Sequence, residues 1–157
     1  MLKALSQNRP KATWVNEMGL VAMLGVTDEG VTRAGKYMDA YTSRYDDNVH
    51  VMNDLKGAIR NFQEIKYDGL LIVEDLPILK EDGKLVHLLD DKSYVGTCDF
   101  LLRSTRILNR TTPAVVLTGN QDTAAYQELL HKGVTEAYDK ASDVDVVVDS
   151  LYRFIYG

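Results

Sequence analysis

Short unbroken apolar runs alternate along this chain with stretches in which apolar residues return every three or four positions. Leu20 to Val26 is a near-continuous apolar run, as expected of a parallel strand covered on both faces. Val31, Ala34, Met38, Tyr41 and Tyr45 follow at helical spacing. Val49 to Met52 predicts a second short strand. Leu55, Ala58, Ile59, Phe62 and Ile65 predict a second helix, with Asn53 or Asp54 as its cap. Gly69 to Val73 predicts a third strand that runs into Glu74-Asp75-Leu76-Pro77. After Gly96 a helical face is carried by Cys98, Leu101, Leu102, Thr105 and Leu108. A strand over Pro113 to Leu117, a helix over Ala124 to Lys132 and a strand over Val134 to Tyr138 come next. The last segment is rich in valine, which favours β structure by propensity. Yet Val144, Val147, Val148, Leu151 and Ile155 share one helical stripe, and Ser142-x-x-Asp145 resembles a capping box. A final helix is therefore predicted.

Such alternation is the signature of βαβ units. The fold class is α/β: a three-layer, doubly wound sheet of five parallel strands with five helices. Residues 20–157 form this domain, and residues 1–19 are a polar N-terminal extension carrying Pro10 and an isolated Trp14. Residues 78–95 fit neither period. They combine Glu81-Asp82-Gly83-Lys84 with the apolar Leu85-Val86-His87-Leu88-Leu89, and read as an insertion after the third strand. Packing of this group on the domain, as a short helix or strand, is favoured over an exposed interaction patch.

Composition narrows the function classes. A chain of 157 residues is long enough to bury one core without disulfides or metals. Its net charge of −5 argues against general nucleic-acid binding, which demands a basic surface. No run approaches the ~20 apolar residues of a membrane span, and Met1 to Lys11 lacks the apolar core of a secretory signal. A single cysteine, Cys98, fits a reducing compartment, so a cytoplasmic protein is expected. Cys98 lies on the apolar face of its helix and reads as packing. His50, His87 and His131 are scattered without metal-ligand spacing.

The chemistry-bearing residues fall where strands end. In an open doubly wound sheet, ligands sit in the crevice outside the carboxyl ends of the strands. Asp28-Glu29, Thr118 and Lys140 stand at three such places, and together they describe a small divalent-cation and phosphoryl site. Each has a plainer reading. Asp28 is also a favoured helix N-cap, Glu29 a first-turn acid that complements the helix dipole, Thr118 a strand-end hydroxyl and Lys140 a solvated lysine.

From these residues onward the chain resembles the receiver domains of two-component response regulators, typified by single-domain chemotaxis regulators. The resemblance covers roughly Leu20 to Tyr156. It is most specific where Phe100-Leu101-Leu102-Arg103 leads through Thr112-Pro113-Ala114-Val115-Val116-Leu117-Thr118-Gly119 to Gly133-x-x-x-x-Tyr138-x-Lys140. It implies a flavodoxin-like sheet of strand order 2-1-3-4-5, with Asp28 and Glu29 holding Mg²⁺, Thr118 as the switch hydroxyl and Lys140 reaching a phosphoryl oxygen. A carboxylate at the end of the third strand would accept a phosphoryl group from a histidine kinase. Counting forward from Tyr67-Asp68, back from Pro77, or onward from Asp28 places Val73 at that position. Valine cannot be phosphorylated. A register slip of two residues would offer Asp75, and a slip of one Glu74. The family's aromatic switch position holds Ala137, and the proline that follows its lysine is Ala141.

The resemblance therefore implies a degenerate receiver in phosphorelay-type signalling. It would stand alone, with no output domain after Gly157, and act through protein contacts without phosphotransfer. Its partner would be a histidine kinase, a downstream effector or a second copy. The face implied for partners includes Tyr126, His131, Tyr138, Tyr152 and Tyr156. The alternative is an active single-domain phosphoacceptor that uses Asp75 with Mg²⁺. Receivers hydrolyse their own phosphoryl group, so the question of enzymatic activity stays open, with Val73 weighing against it. A third and weaker class is small-ligand binding on a flavodoxin-like scaffold. The chain carries no G-x-G-x-x-G, no P-loop and no cobalamin-type histidine signature, and Gly30 and Gly35 lack the spacing of a dinucleotide turn.

Overall fold

Strands that are apolar on both faces have one stable place, the middle of a parallel sheet with helices on each side. The computed structural model puts them there. It describes residues 18–80, 82, 84–86, 94–104, 107–119, 127, 130, 131 and 133–157. The chain runs β1 (Leu20–Leu24), α1 (Asp28–Arg44), β2 (Asn48–Met52), α2 (Leu55–Glu64), β3 (Gly69–Ile72), β4 (Ile78–Leu79), β5 (Leu85–Val86) and α3 (Tyr94–Ser104). A 3₁₀ turn (Ile107–Asn109), β6 (Ala114–Thr118), β7 (Glu136–Asp139) and α4 (Val144–Tyr156) complete it. Five strands pair in parallel in the order β2-β1-β3-β6-β7. With the separate β4–β5 hairpin set aside, this is the 2-1-3-4-5 order of a flavodoxin-like sheet.

Side chains alternate across a strand, and here the alternation builds two cores. Ala22 and Leu24 of β1 join Leu70, Ile72, Phe62, Phe100 and Val116 on the α2–α3 side. Val21 and Met23 join Leu71, Val115, Tyr37, Tyr41 and Leu151 on the α1–α4 side. Each fully buried side chain of this kind contributes roughly 1.5–3 kcal/mol. The central strands β1, β3 and β6 are buried almost throughout, whereas the edge strand β2 is only partly covered.

Several boundaries move from their sequence-based positions, each for a local reason. The first helix is capped by Thr27, whose hydroxyl accepts the Gly30 N–H at 3.0 Å; Asp28 is its first full residue. Asp54, the second of the two cap candidates, accepts the Gly57 N–H at 2.8 Å. The last helix is capped by Asp143, not Ser142, through the Asp145 N–H at 2.9 Å. Helix α3 begins at Tyr94, inside the region assigned to the insertion, and the insertion itself contains the antiparallel β4–β5 hairpin. In the segment expected as a fourth helix, Gln127, Leu130 and His131 are helical. Trp14, His87, Leu88, Leu89 and Tyr126 lie outside the described residues. Cys98 is buried, as its place on an apolar face implied.

Buried polar side chains fix the ends of the elements. Asn109, 1% exposed, accepts the Tyr67 N–H at 2.9 Å and donates to Phe62 O and to Ile65 O, the latter at 2.6 Å. It thereby closes the turn between α2 and β3. At the opposite end of the sheet from the strand carboxyl termini, Asp47 is 5% exposed. It accepts the Gly19 N–H and the Tyr41 hydroxyl, each at 2.9 Å, and the Tyr156 hydroxyl at 2.5 Å. One carboxylate thus ties β1, α1 and α4. Outside it, Asp149 of α4 accepts from Arg44 Nε and Nη2 at 2.9 and 2.7 Å and from the Tyr45 hydroxyl at 2.5 Å.

Asp47→Ala strands three donors, two of them buried phenols, and is expected to cost about 3 kcal/mol, with Asp47→Asn in between; urea unfolding measures both. The Tyr45 hydrogen bond and then the Arg44 guanidinium hold the Asp149 carboxyl below its usual range. A carboxyl depressed in the folded state stabilises at pH values above its unfolded pKa and loses that contribution as pH falls through the folded one. The stability gap between the parent and Asp149→Asn should therefore be present at neutral pH and close below roughly pH 4. Unfolding curves at a series of pH values would show a constant gap if the tether carried no charge.

Candidate functional site

At the carboxyl end of the sheet four loops converge: Gly25–Thr27 after β1, Val73–Asp75 after β3, Gly119 after β6 and Lys140 after β7. Val73 is the first residue past β3. Its N–H still donates to Leu24 O at 3.0 Å, and its side chain is fully buried with Val21, Met23, Ala34 and Tyr37. Thus the position singled out for a phosphoryl acceptor is a core residue facing α1.

The next residue, Glu74, turns its carboxylate under the β1–α1 loop. It accepts the Val26 N–H at 2.5 Å, the Thr27 N–H at 3.0 Å and the Thr27 hydroxyl, and is 8% exposed. A Cβ on Gly30 would overlap this carboxylate, so the glycine one turn into α1 makes the space it fills. Asp75 reaches the other way. Its Oδ2 accepts the Gly119 N–H at 2.9 Å, while its buried Oδ1 has no partner among the described residues. The two carboxylates at the end of β3 therefore bind backbone of the neighbouring loops, one on each side.

Thr118, 1% exposed, ends β6 beside Asp139 of β7, and its carbonyl accepts the Lys140 N–H at 3.0 Å. The Lys140 side chain lies across Gly119, where an added Cβ would stand 3.1 Å from Cε. Its Nζ is 3.9 Å from Glu29. Asp28 and Glu29 are exposed in the first turn of α1 and not at the end of β1, which stops at Leu24. Arg33, one turn further on, forms an ion pair with Glu29 and donates from Nη1 to Val73 O at 3.1 Å. The hydrogen bond and charge of Arg33, helped by Lys140, hold the Glu29 carboxyl below its ordinary range. A guanidinium from the chain itself thus covers the end of β3.

No protein-family model matches the chain, and no curated protein matches it. Solved structures do. The signal receiver domain of a LuxO repressor protein from Vibrio parahaemolyticus superposes with a TM-score of 0.59 at 16% identity, covering 88% of this chain and 91% of that one. HP1043, an orphan response regulator of H. pylori, gives 0.64 at 11% identity over 88% and 99%. The receiver domain of the sensor histidine kinase PA1611 from Pseudomonas aeruginosa PAO1, described with a magnesium ion coordinated in its active-site cleft, gives 0.59 at 16% over 90% and 100%. This chain has the receiver fold.

Within that fold the expected site residues gather only in part. Thr118, Lys140, Val73 and Asp75 do meet at one end of the sheet. Glu29 faces Arg33 and Lys140 instead of an open ligand sphere, while Asp28 is exposed beside it. A hard divalent ion takes oxygen donors, with one or two carboxylates held ready for it. Here Glu29 is engaged by Arg33 and Lys140, both Glu74 oxygens are taken by donors, and no group of three metal-ligating side chains occurs among the described residues. Asp28 and the Asp75 Oδ1 keep carboxylate oxygens with no partner among the described residues.

The expected partner face also changes. Tyr156 is buried with its hydroxyl on Asp47, Tyr152 stacks on Tyr45 at 3.8 Å between ring centroids, and Tyr138 is tied to Ser150 at 2.6 Å. Tyr156 is thus committed to the core, whereas Tyr152 and Tyr138 are half-buried. His131 is exposed. Arg33 escaped the sequence reading, although Glu29 and Arg33 stand four residues apart, the spacing of a helical ion pair. Glu74 was weighed only as an acceptor one residue out of register; its place beneath the β1–α1 loop had Gly30 as its only local signal.

Replacing a helical glycine by alanine ordinarily stabilises by about 1 kcal/mol. Gly30→Ala should do the opposite, because its methyl group meets the Glu74 carboxylate. In the Glu74→Ala background the same change should become neutral or stabilising. A double-mutant cycle from urea midpoints reads the coupling, and additivity would show that Glu74 does not occupy that space.

Proposed function

We propose that this chain is a receiver-fold signalling module that works through protein–protein contact without phosphotransfer. The observation that carries the reading is the end of β3: Val73 is buried in the core, and the Arg33 guanidinium rests against its carbonyl. Phosphoryl transfer to a carboxylate depends on positioning and on charge stabilisation by a metal ion. At this crevice a non-ionisable side chain stands at the strand end, and two basic side chains stand at the acidic pair. The acceptor position fails because valine has no oxygen to carry the group, and the Glu29 carboxylate is already neutralised by intramolecular cations.

Signalling without chemistry requires a surface that a partner can read, and a histidine kinase, a downstream effector or a second copy of the chain are the candidate partners. With Tyr156 buried and Tyr138 and Tyr152 half-buried, recognition falls chiefly to exposed residues. His131 and the exposed apolar Leu130, Val146 and Phe154 are the groups available on the helical segment before β7 and on α4. Exposed aromatic and apolar side chains are the ones that supply affinity in protein interfaces.

A second reading keeps phosphotransfer and assigns it to Asp75. One observation favours it: the Asp75 Oδ1 is buried at the crevice with no partner among the described residues. Against it, Asp75 spends its other oxygen on the Gly119 N–H.

Incubation with Mg²⁺ and acetyl phosphate, followed by intact-mass measurement, separates the two readings. The chain is expected to stay unmodified, and its affinity for any partner to be the same with and without the phosphodonor. A phosphoryl adduct that maps to Asp75 and is lost in Asp75→Asn would replace the contact reading with a working phosphoacceptor.

A further inference from the structure

Beside the crevice, a cleft of about 520 Å³ opens between the first half of α1 and the turn from β7 into α4. That volume lies in the range of small-molecule sites. Thr32, Arg33 and Lys36 line it from α1, Lys140 and Ser142 from the turn, and Tyr37 lies beneath. Three cations in its wall outnumber the two carboxylates, Asp28 and Glu29. That is a local positive excess in a chain of net charge −5. Glu29 is already engaged by Arg33 and Lys140, so it offers little to a ligand.

Two donors at this cleft are unused. Lys36 has no ion-pair or hydrogen-bond partner among the described residues. Tyr37 is 1% exposed, and its hydroxyl also has no partner among them. A buried hydroxyl left without a partner is costly and rare. Tyr37 is among the residues that line the cleft. Burial pushes its pKa up to about 12, so it remains a neutral donor under ordinary conditions.

We propose that this cleft reversibly binds a small phosphomonoester, with the phosphate held by Lys36, Lys140, Arg33 and the Tyr37 hydroxyl. Donors of this number and kind, converging from a helix and a turn, match an anion with several oxygens at tetrahedral angles. Charge-assisted hydrogen bonds of this type are the strong ones. The Thr32 and Ser142 hydroxyls and Asp28 are placed to meet hydroxyl groups on the rest of the molecule. Binding requires no covalent step, no metal and no acceptor on β3. The inference therefore goes beyond the signalling role and does not depend on it.

The test is a calorimetric titration of the full chain, in magnesium-free buffer with EDTA, against inorganic phosphate and against ribose 5-phosphate. Saturable binding of both is expected. Lys36→Gln and Tyr37→Phe should each weaken it about five- to tenfold, while Lys56→Gln, an exposed lysine on α2, should leave it unchanged. Tyr37→Phe should also raise the melting temperature of the free protein, since it removes a hydroxyl that has no partner. A variant that is more stable yet binds more weakly separates ligand recognition from a folding defect. The proposal is overturned if ribose 5-phosphate does not bind, if Lys36→Gln and Tyr37→Phe bind as the parent does, or if Lys56→Gln loses as much affinity as they do. None of these outcomes bears on the phosphodonor experiment, which uses Mg²⁺ and reads covalent modification.

Discussion

The carboxylate of Glu74, buried beneath the β1–α1 loop, fixes the geometry of the whole carboxyl end of the sheet. Three donors from Val26 and Thr27 converge on it, and a buried carboxylate is tolerated only when hydrogen bonds replace its lost hydration. Because Thr27 is also the cap of α1, the same contact sets where that helix starts. The start of α1 in turn decides which of its side chains overhang the crevice: Glu29 and Arg33, a turn apart on one face. Gly30 is the steric condition for this arrangement, since any side chain there would collide with the carboxylate.

Once α1 is placed in this way, the electrostatics of the crevice follow. Arg33 reaches the Val73 carbonyl and Glu29 together, and Lys140 approaches Glu29 from the other side. A receiver-fold crevice that in the Pseudomonas aeruginosa structure is described with a magnesium ion is here lined by cations paired to its own acid. The residues at the end of β3 act as ties between loops: Glu74 to the turn after β1, Asp75 to the turn after β6. The surplus positive charge lies on the adjacent flank, between α1 and the turn into α4.

The opposite end of the sheet is held by the same device. Asp47 gathers two buried phenols and a backbone N–H, and the aromatic seam of Tyr41, Tyr45, Tyr152 and Tyr156 seals α1 against α4. Buried anions satisfied by neutral donors thus lock both ends, leaving the middle of the sheet to hydrophobic packing. Of the tyrosines that a surface reading assigns to partners, Tyr152 and Tyr156 are used in this seam. Aromatic rings bury large areas and tolerate a polar tip when a partner meets it.

Through the resemblance its motifs carry, the sequence pointed to a flavodoxin-like strand order; by itself it determined the βαβ alternation, the five strands and the valine that follows β3. These follow from local period and from short apolar runs that have only one place to be buried. The sequence also brought Thr118 and Lys140 to one end of the sheet, because strand ends are set by pattern. Tertiary structure alone decided what those ends do. That Glu74 would turn under the first loop, that Arg33 would lie over Val73, and that Tyr156 would point inward to Asp47 all depend on partners 40 to 109 residues away in the chain. No periodicity encodes such distant pairings. They are settled when packed helices bring charges and donors within reach and water can no longer serve in their place.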